Sequence, residues 1–158
     1  MGCAHTAITH VRTVDARPRS RHDDVMAVLR PDAAPVRVLI VDDHPVFHEV
    51  ARELIGASAG FKWIGAARSG EEAIEQAERL RPDLILMDVR MPGIGGAEAA
   101  RQIAARGLPA IVVLVTADAL PDDAAPASAP AILQKHQLST RSLTRLWETH
   151  GQRACEKS

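Results

Sequence analysis

Four short apolar runs in this chain each end on a residue that can handle a phosphoryl group. Val38-Leu39-Ile40-Val41 ends in Asp42-Asp43, and Leu84-Ile85-Leu86-Met87 ends in Asp88. Ile111-Val112-Val113-Leu114-Val115 ends in Thr116, and Ala131-Ile132-Leu133-Gln134 leads into Lys135. If these runs are parallel strands of one sheet, the carboxylates of Asp42, Asp43 and Asp88 meet a hydroxyl and an ammonium at one edge. Carboxylates at close range repel, so a hard cation is their natural neutraliser. Mg2+ prefers a few carboxylates, a carbonyl and retained waters. A carboxylate can also be the nucleophile in phosphoryl transfer, giving an acyl phosphate. The charge that develops needs electrostatic partners, which Mg2+, the Thr116 hydroxyl and the Lys135 ammonium can supply.

Taken singly, each piece has a plainer reading. An Asp pair after a strand is more often a turn than a metal site, and a lone strand-end Thr or Lys is usually solvated surface. Joint placement on successive strand ends is what makes the signal.

The elements that must position these groups follow the α/β pattern from Val36 onward. After the first strand, Pro45 suits the first turn of a helix, and Val46, Phe47, Val50, Leu54 and Ile55 mark its apolar face. Phe61 to Ala67 reads as a second strand. Ser69 with Glu72 reads as a capping box opening a helix whose buried side carries Ala73, Ile74, Ala77 and Leu80, stopped by Arg81-Pro82. The Gly/Pro loop after Asp88 leads to a helix from Ala97 to about Arg106, ended by Gly107. A last helix opens at Ser139 or Thr140, with Leu143, Leu146 and Trp147 on one face. Between Thr116 and Ala131 the periodicity fails: Pro121, Pro126 and Pro130 punctuate an Ala/Asp/Ser stretch, so a shortened or irregular fourth helix is expected there. Strands linked by helical crossovers pair in parallel, and in such sheets the site lies at the carboxyl ends of the strands.

Bulk properties narrow the function. The 158 residues suit one domain with a tail, and the net charge of −1 gives no long-range field favouring DNA or an anionic membrane. Aromatic residues make up 3% of the chain, which argues against a base-stacking platform. Cys3 and Cys155 lack C-x-x-C spacing and read as reduced thiols. No run approaches the roughly 18 apolar residues of a membrane span, and the Arg-rich N-terminus lacks the apolar core of a secretory signal. The cytoplasm is the expected compartment. Residues 1–35 read as a disordered N-terminal extension, 36–148 as the folded domain and 149–158 as a frayed C-terminal tail.

From Val36 to Trp147 the chain resembles the receiver domain of bacterial two-component response regulators. Val38-Leu39-Ile40-Val41-Asp42-Asp43-His44-Pro45-Val46-Phe47 is similar to the opening of receivers in the branch that usually carries a helix-turn-helix output. Leu86-Met87-Asp88-Val89-Arg90-Met91-Pro92-Gly93 is similar to the phosphoacceptor strand and loop. The resemblance implies a flavodoxin-like, five-stranded parallel sheet of order 2-1-3-4-5 flanked by helices. It implies Asp88 as phosphoacceptor, and Mg2+ held by Asp43, Asp88 and the backbone carbonyl of Arg90, with Asp42 assisting. Thr116 and Lys135 would bind the phosphoryl group. A histidine kinase or histidine phosphotransfer protein would be the donor.

The resemblance has local departures. The interval from Thr116 to Lys135 is short for the family, and Ile132 stands where many receivers carry an aromatic switch residue. His136 follows Lys135 where many have proline, and His44 and His48 flank the site as surface or supporting groups rather than ligands. The leading expectation is a single-domain response regulator in phosphorelay signal transduction, acting on a downstream protein partner, with no direct contact to nucleic acid or membrane and no enzymatic output. The alternative is a receiver-fold interaction module with vestigial or absent phosphorylation. A metal-dependent phosphatase would want a second Asp where His44 stands. Flavodoxin-like cofactor binding would want a phosphate-cradling loop where Asp42-Asp43-His44 would repel phosphate.

Overall fold

The computed structural model describes residues 34–118 and 128–151. Residues 1–33 of the expected extension, 119–127 of the expected irregular helix, and 152–158 of the expected tail lie outside the described residues. The elements, in order, are β1 (Val36–Val41), α1 (Pro45–Ala57), β2 (Phe61–Ala67), α2 (Gly70–Leu80), β3 (Leu84–Asp88), α3 (Gly95–Ala105), β4 (Ile111–Thr116) and β5 (Ala131–Gln134). A single 3-10 turn (Lys135–Gln137) then leads into α4 (Thr140–His150). Among the described residues no helix is long and apolar enough to cross a membrane.

All strands pair in parallel, in the order β2-β1-β3-β4-β5. This is the order the resemblance implied. Strands covered on both faces should read as continuous apolar runs, and β3 and β4 are buried along their whole length. Alternate residues serve opposite faces. Leu39, Val41, Ile85, Met87, Val112 and Leu114 pack under α2 and α3. Val38, Ile40, Leu84, Leu86, Val113 and Val115 pack under α1 and α4, where Leu143 is fully buried.

Helix ends follow the sequence, with shifts. Pro45 opens α1, and Arg81 closes α2 in the left-handed conformation at φ 49° ahead of Pro82. Ser69 accepts the Glu72 N–H as expected, but the Glu72 carboxylate reaches the Arg68 N–H, one residue before the cap, so the box is not reciprocal. The reciprocal box lies instead at α4, between Ser139 and Ser142. The third helix begins at Gly95, earlier than the expected Ala97.

One expectation needs correcting. The apolar face assigned to α1 included Val46 and Val50, yet these are 72% and 56% exposed. The helix meets the sheet through Phe47, Ala51 and Ile55, spaced i, i+4, i+8, with Ala51 small enough to let the backbone close on the strands. Val46 and Val50 precede that stripe by one residue each, which rotates them about 100° toward solvent.

The crossover from β3 to α3 is built around backbone contact. Gly93 adopts φ +86°, a left-handed conformation natural to glycine. A Cβ on Gly96 would stand 2.0 Å from the backbone oxygen of Asp88, so α3 starts hard against the residue that ends β3. Gly96→Ala is therefore expected to destabilise the domain by about 1–3 kcal/mol through forced backbone displacement. Urea denaturation measures it; a midpoint equal to wild type would mean that this contact gives way without cost.

Candidate functional site

Strand register delivers the site residues to one edge. Val41 pairs with Met87, so Asp42 and Asp88 follow at the same level on adjacent strands. Asp88 pairs with Val115, and Thr116 pairs with Gln134, so Thr116 and Lys135 complete the row. The sheet order reverses between β1 and β3, and crevices at such switch points are where open α/β sheets place their ligands.

Asp42, Asp88 and Thr116 are buried, at 0%, 5% and 2% exposure. Lys135 bridges the two carboxylates: its Nζ touches Asp42 Oδ2 and stands 3.2 Å from Asp88 Oδ2. The other oxygen of Asp88 accepts the Arg90 N–H at 3.3 Å, which places Arg90 at the rim beside the carboxylate. Asp43 is half-buried and stands with Asp42, His44 and Asp88 in a group whose potential ligand atoms all lie within 4.8 Å of one another. His44 Nδ1 lies 2.9 Å from Asp43 Oδ1 and 3.1 Å from Asp42 Oδ1, and its backbone N–H also donates to Asp42 Oδ1. His48 donates from Nε2 to the backbone carbonyl of Asp42.

Thr116 contacts the array by position rather than by a direct bond. Its Oγ1 accepts the Asp118 N–H at 3.2 Å, which leaves the hydroxyl proton free to donate. Asp118 in turn pairs with the Arg90 guanidinium at 2.8 Å, so the loops after β3 and β4 are tied together across the mouth.

The charges do not balance. Burial raises the pKa of Asp88 first and the Asp42 carboxylate adds to that; Lys135 and the Arg90 N–H oppose without overcoming them. Burial pulls the Lys135 ammonium down, but its close contact with Asp42 and the charges of both carboxylates leave its pKa raised. Asp42 Oδ2 and Asp43 Oδ1 are buried and receive no aligned hydrogen bond, although the Lys135 ammonium and the His44 ring respectively stand in contact range. Buried carboxylate oxygens without aligned donors, clustered within a few ångströms of one another, are the donor set a hard divalent cation takes. The residues present therefore fit Mg2+.

The sequence places Phe47 in the apolar stripe of α1 and in the segment that resembles the opening of receivers, with no role at the site. In the structure its ring faces the site, with Lys135 Nζ 4.6 Å from the ring centroid. Its place two residues after Pro45, in the turn that follows the Asp pair, was the available signal. The Arg90–Asp118 pair was not anticipated either; it depends on the approach of two loops, which periodicity does not report.

The family model for the response regulator receiver domain matches residues 38–144. The chain belongs to this family, the receiver domains of two-component systems. It is 46% identical over 68 residues to the response regulator GacA of Pseudomonas viridiflava, a stretch covering 43% of this chain and 32% of that protein. It is 36% identical over 112 residues to protein-glutamate methylesterase/protein-glutamine glutaminase 1 of Syntrophus aciditrophicus, covering 67% of this chain and 32% of that one. The aligned stretch is thus about a third of the length of these curated relatives. Among solved structures, a LuxR-family two-component response regulator from an Aurantimonas species superposes with a TM-score of 0.65 at 27% identity, covering 74% of this chain and 85% of that one. The response regulator domain of Thermotoga maritima CheB gives 0.59 at 27% identity, covering 76% and 96%.

The raised pKa of Asp88 carries a sign. Between its ordinary value of 3.8 and its raised folded value the native state binds more protons than the unfolded state, so stability falls as pH rises through that window. Above the window the ionised Asp88 is a net cost. Asp88→Asn is expected to melt higher than wild type at pH 7.5 in EDTA, with the difference shrinking toward pH 4. A lower melting temperature for Asp88→Asn would show that the Lys135 ion pair outweighs burial and repulsion.

Proposed function

We propose that this receiver domain accepts a phosphoryl group on Asp88 from a histidine kinase or histidine phosphotransfer protein and passes the resulting state to a protein partner in phosphorelay signalling. The observation that supports it most is the presentation of Asp88: one carboxylate oxygen lies beside the Lys135 ammonium, the other beside the Arg90 N–H. In the proposed reaction an Asp88 oxygen attacks phosphorus, the bond from phosphorus to the donor imidazole nitrogen breaks, and the nitrogen leaves with the electron pair and takes up a proton. The product is an acyl phosphate.

Asp43, Asp88 and the backbone carbonyl of Arg90 would hold Mg2+, with Asp42 assisting. When bound, the cation would neutralise charge on the phosphoryl oxygens. The chain's own residues do the rest. Lys135, already seated between Asp42 and Asp88, would exchange its Asp88 contact for a phosphoryl oxygen. Thr116 would donate its free hydroxyl proton to a second oxygen, and because its Oγ1 is tied to Asp118 that movement would pull on the loop after β4. Val46 and Val50, exposed on the turns of α1 that follow the Asp pair, offer apolar contact to a donor protein seated over the mouth.

Incubation with acetyl phosphate and Mg2+, followed by intact mass spectrometry, tests the reading. Wild type should gain one phosphoryl group and Asp88→Asn none. An unchanged wild type, or an adduct that survives Asp88→Asn, would sink it. Lys135→Ala should slow formation of the adduct by at least about tenfold, as expected for removing one preorganised cationic partner of the transferring group. A wild-type rate would remove Lys135 from that role.

A further inference from the structure

The ammonium of Lys135 has three N–H directions to satisfy. One donates to Asp88 Oδ2, and the charge also pairs with Asp42 Oδ2 in close contact. On a further side stands the Phe47 ring, 4.6 Å from nitrogen to centroid, a separation at which the negative face of an aromatic ring attracts a cation. The Lys135 side chain is only 20% exposed, so the contact is partly desolvated and correspondingly stronger than at an open surface. Phe47 is itself fixed: it follows Pro45 in the first turn of α1, its N–H donates to the His44 carbonyl at 3.1 Å, and the ring packs beside the core under α1.

We propose that Phe47 is a positioning residue for the phosphoryl-binding cation, an aromatic seat that holds the Lys135 ammonium over Asp88. The seat is suited to a group that must change partners. A third carboxylate in that place would bind the ammonium by charge and compete with an incoming phosphoryl group. A purely aliphatic side chain would offer the charge no attraction and leave it free to swing toward solvent. The ring attracts the cation and carries no net charge, so Lys135 stays at the site yet remains free to trade a carboxylate oxygen for a phosphoryl oxygen. This role rests on the phosphoacceptor reading of Asp88; the existence of the seat does not.

Two readouts separate these. In metal-free protein, NMR of the Lys135 ε-methylene should show an upfield ring-current shift that is lost in Phe47→Leu, a variant that keeps an apolar side chain of similar bulk. With acetyl phosphate, Phe47→Leu should be phosphorylated about fivefold more slowly, the ratio expected from a partly desolvated cation–ring contact. Its Mg2+ affinity should stay within about twofold of wild type, because the ring contacts Lys135 and none of the carboxylates named as ligands. Replacing Phe47 by trifluorophenylalanine, which keeps the shape and removes the negative face, should give the same slowing. In a Lys135→Ala background neither change should slow the reaction further. Slowing of equal size in that background, full activity in the trifluoro variant, or an unshifted Lys135 in wild type would each overturn the proposal. Should wild type fail to take up phosphate at all, the phosphoacceptor reading falls and the Lys135 shift alone decides whether the seat exists.

Discussion

Two buried carboxylates held at the same level on neighbouring strands set the terms for the rest of this molecule. Asp42 follows β1 and Asp88 ends β3, and neither can move away from the other without breaking the parallel register that joins Val41 to Met87. Like charges in a partly desolvated setting repel more strongly than in water. Lys135 offsets part of that repulsion from between them, yet Asp88 remains harder to ionise than an ordinary carboxylate. The site is thus short of positive charge. An acidic cluster of this kind suits a hard divalent cation, and an ammonium shared between two carboxylates is a group that can change partners.

The scaffold serves this arrangement at each level. Buried β1, β3 and β4 make the edge rigid, because every strand hydrogen bond and both layers of side chains would have to shift together. Gly96 lets α3 begin against the Asp88 backbone, where any Cβ would push the residue out of line. On the other side, the first turn of α1 brings Phe47 to Lys135, and the Arg90–Asp118 pair ties the two loops that flank the mouth. Burial at the site costs folding stability, and the well-packed faces beneath α1 to α4 offset it.

The sheet and the charged edge were legible in the sequence because strands covered on both faces appear as uninterrupted apolar runs, and each run gives way to a charged or hydroxyl-bearing residue at the sheet edge. Asp42, Asp43, Asp88, Thr116 and Lys135 could be placed from that alone. The face of α1 was less legible. Periodicity marks apolar positions without saying which of two adjacent stripes the sheet will cover, and it undervalued Ala51, whose small size sets the close approach. Val46 and Val50 were misplaced for that reason. The Glu72 carboxylate illustrates a finer limit: a capping pattern fixes which groups are near a helix start, while side-chain reach decides that Arg68 rather than Ser69 receives the second bond. Contacts made between loops and across elements, such as Arg90 with Asp118 and Lys135 with Phe47, have no signature in local spacing.

A deficit of positive charge at the carboxylate cluster can be measured without any phosphoryl donor. Isothermal titration of Mg2+ into metal-free wild type should give saturable one-to-one binding that Asp43→Ala abolishes and Lys135→Ala preserves. Heats of dilution alone in wild type, or binding unaffected by Asp43→Ala, would contradict it.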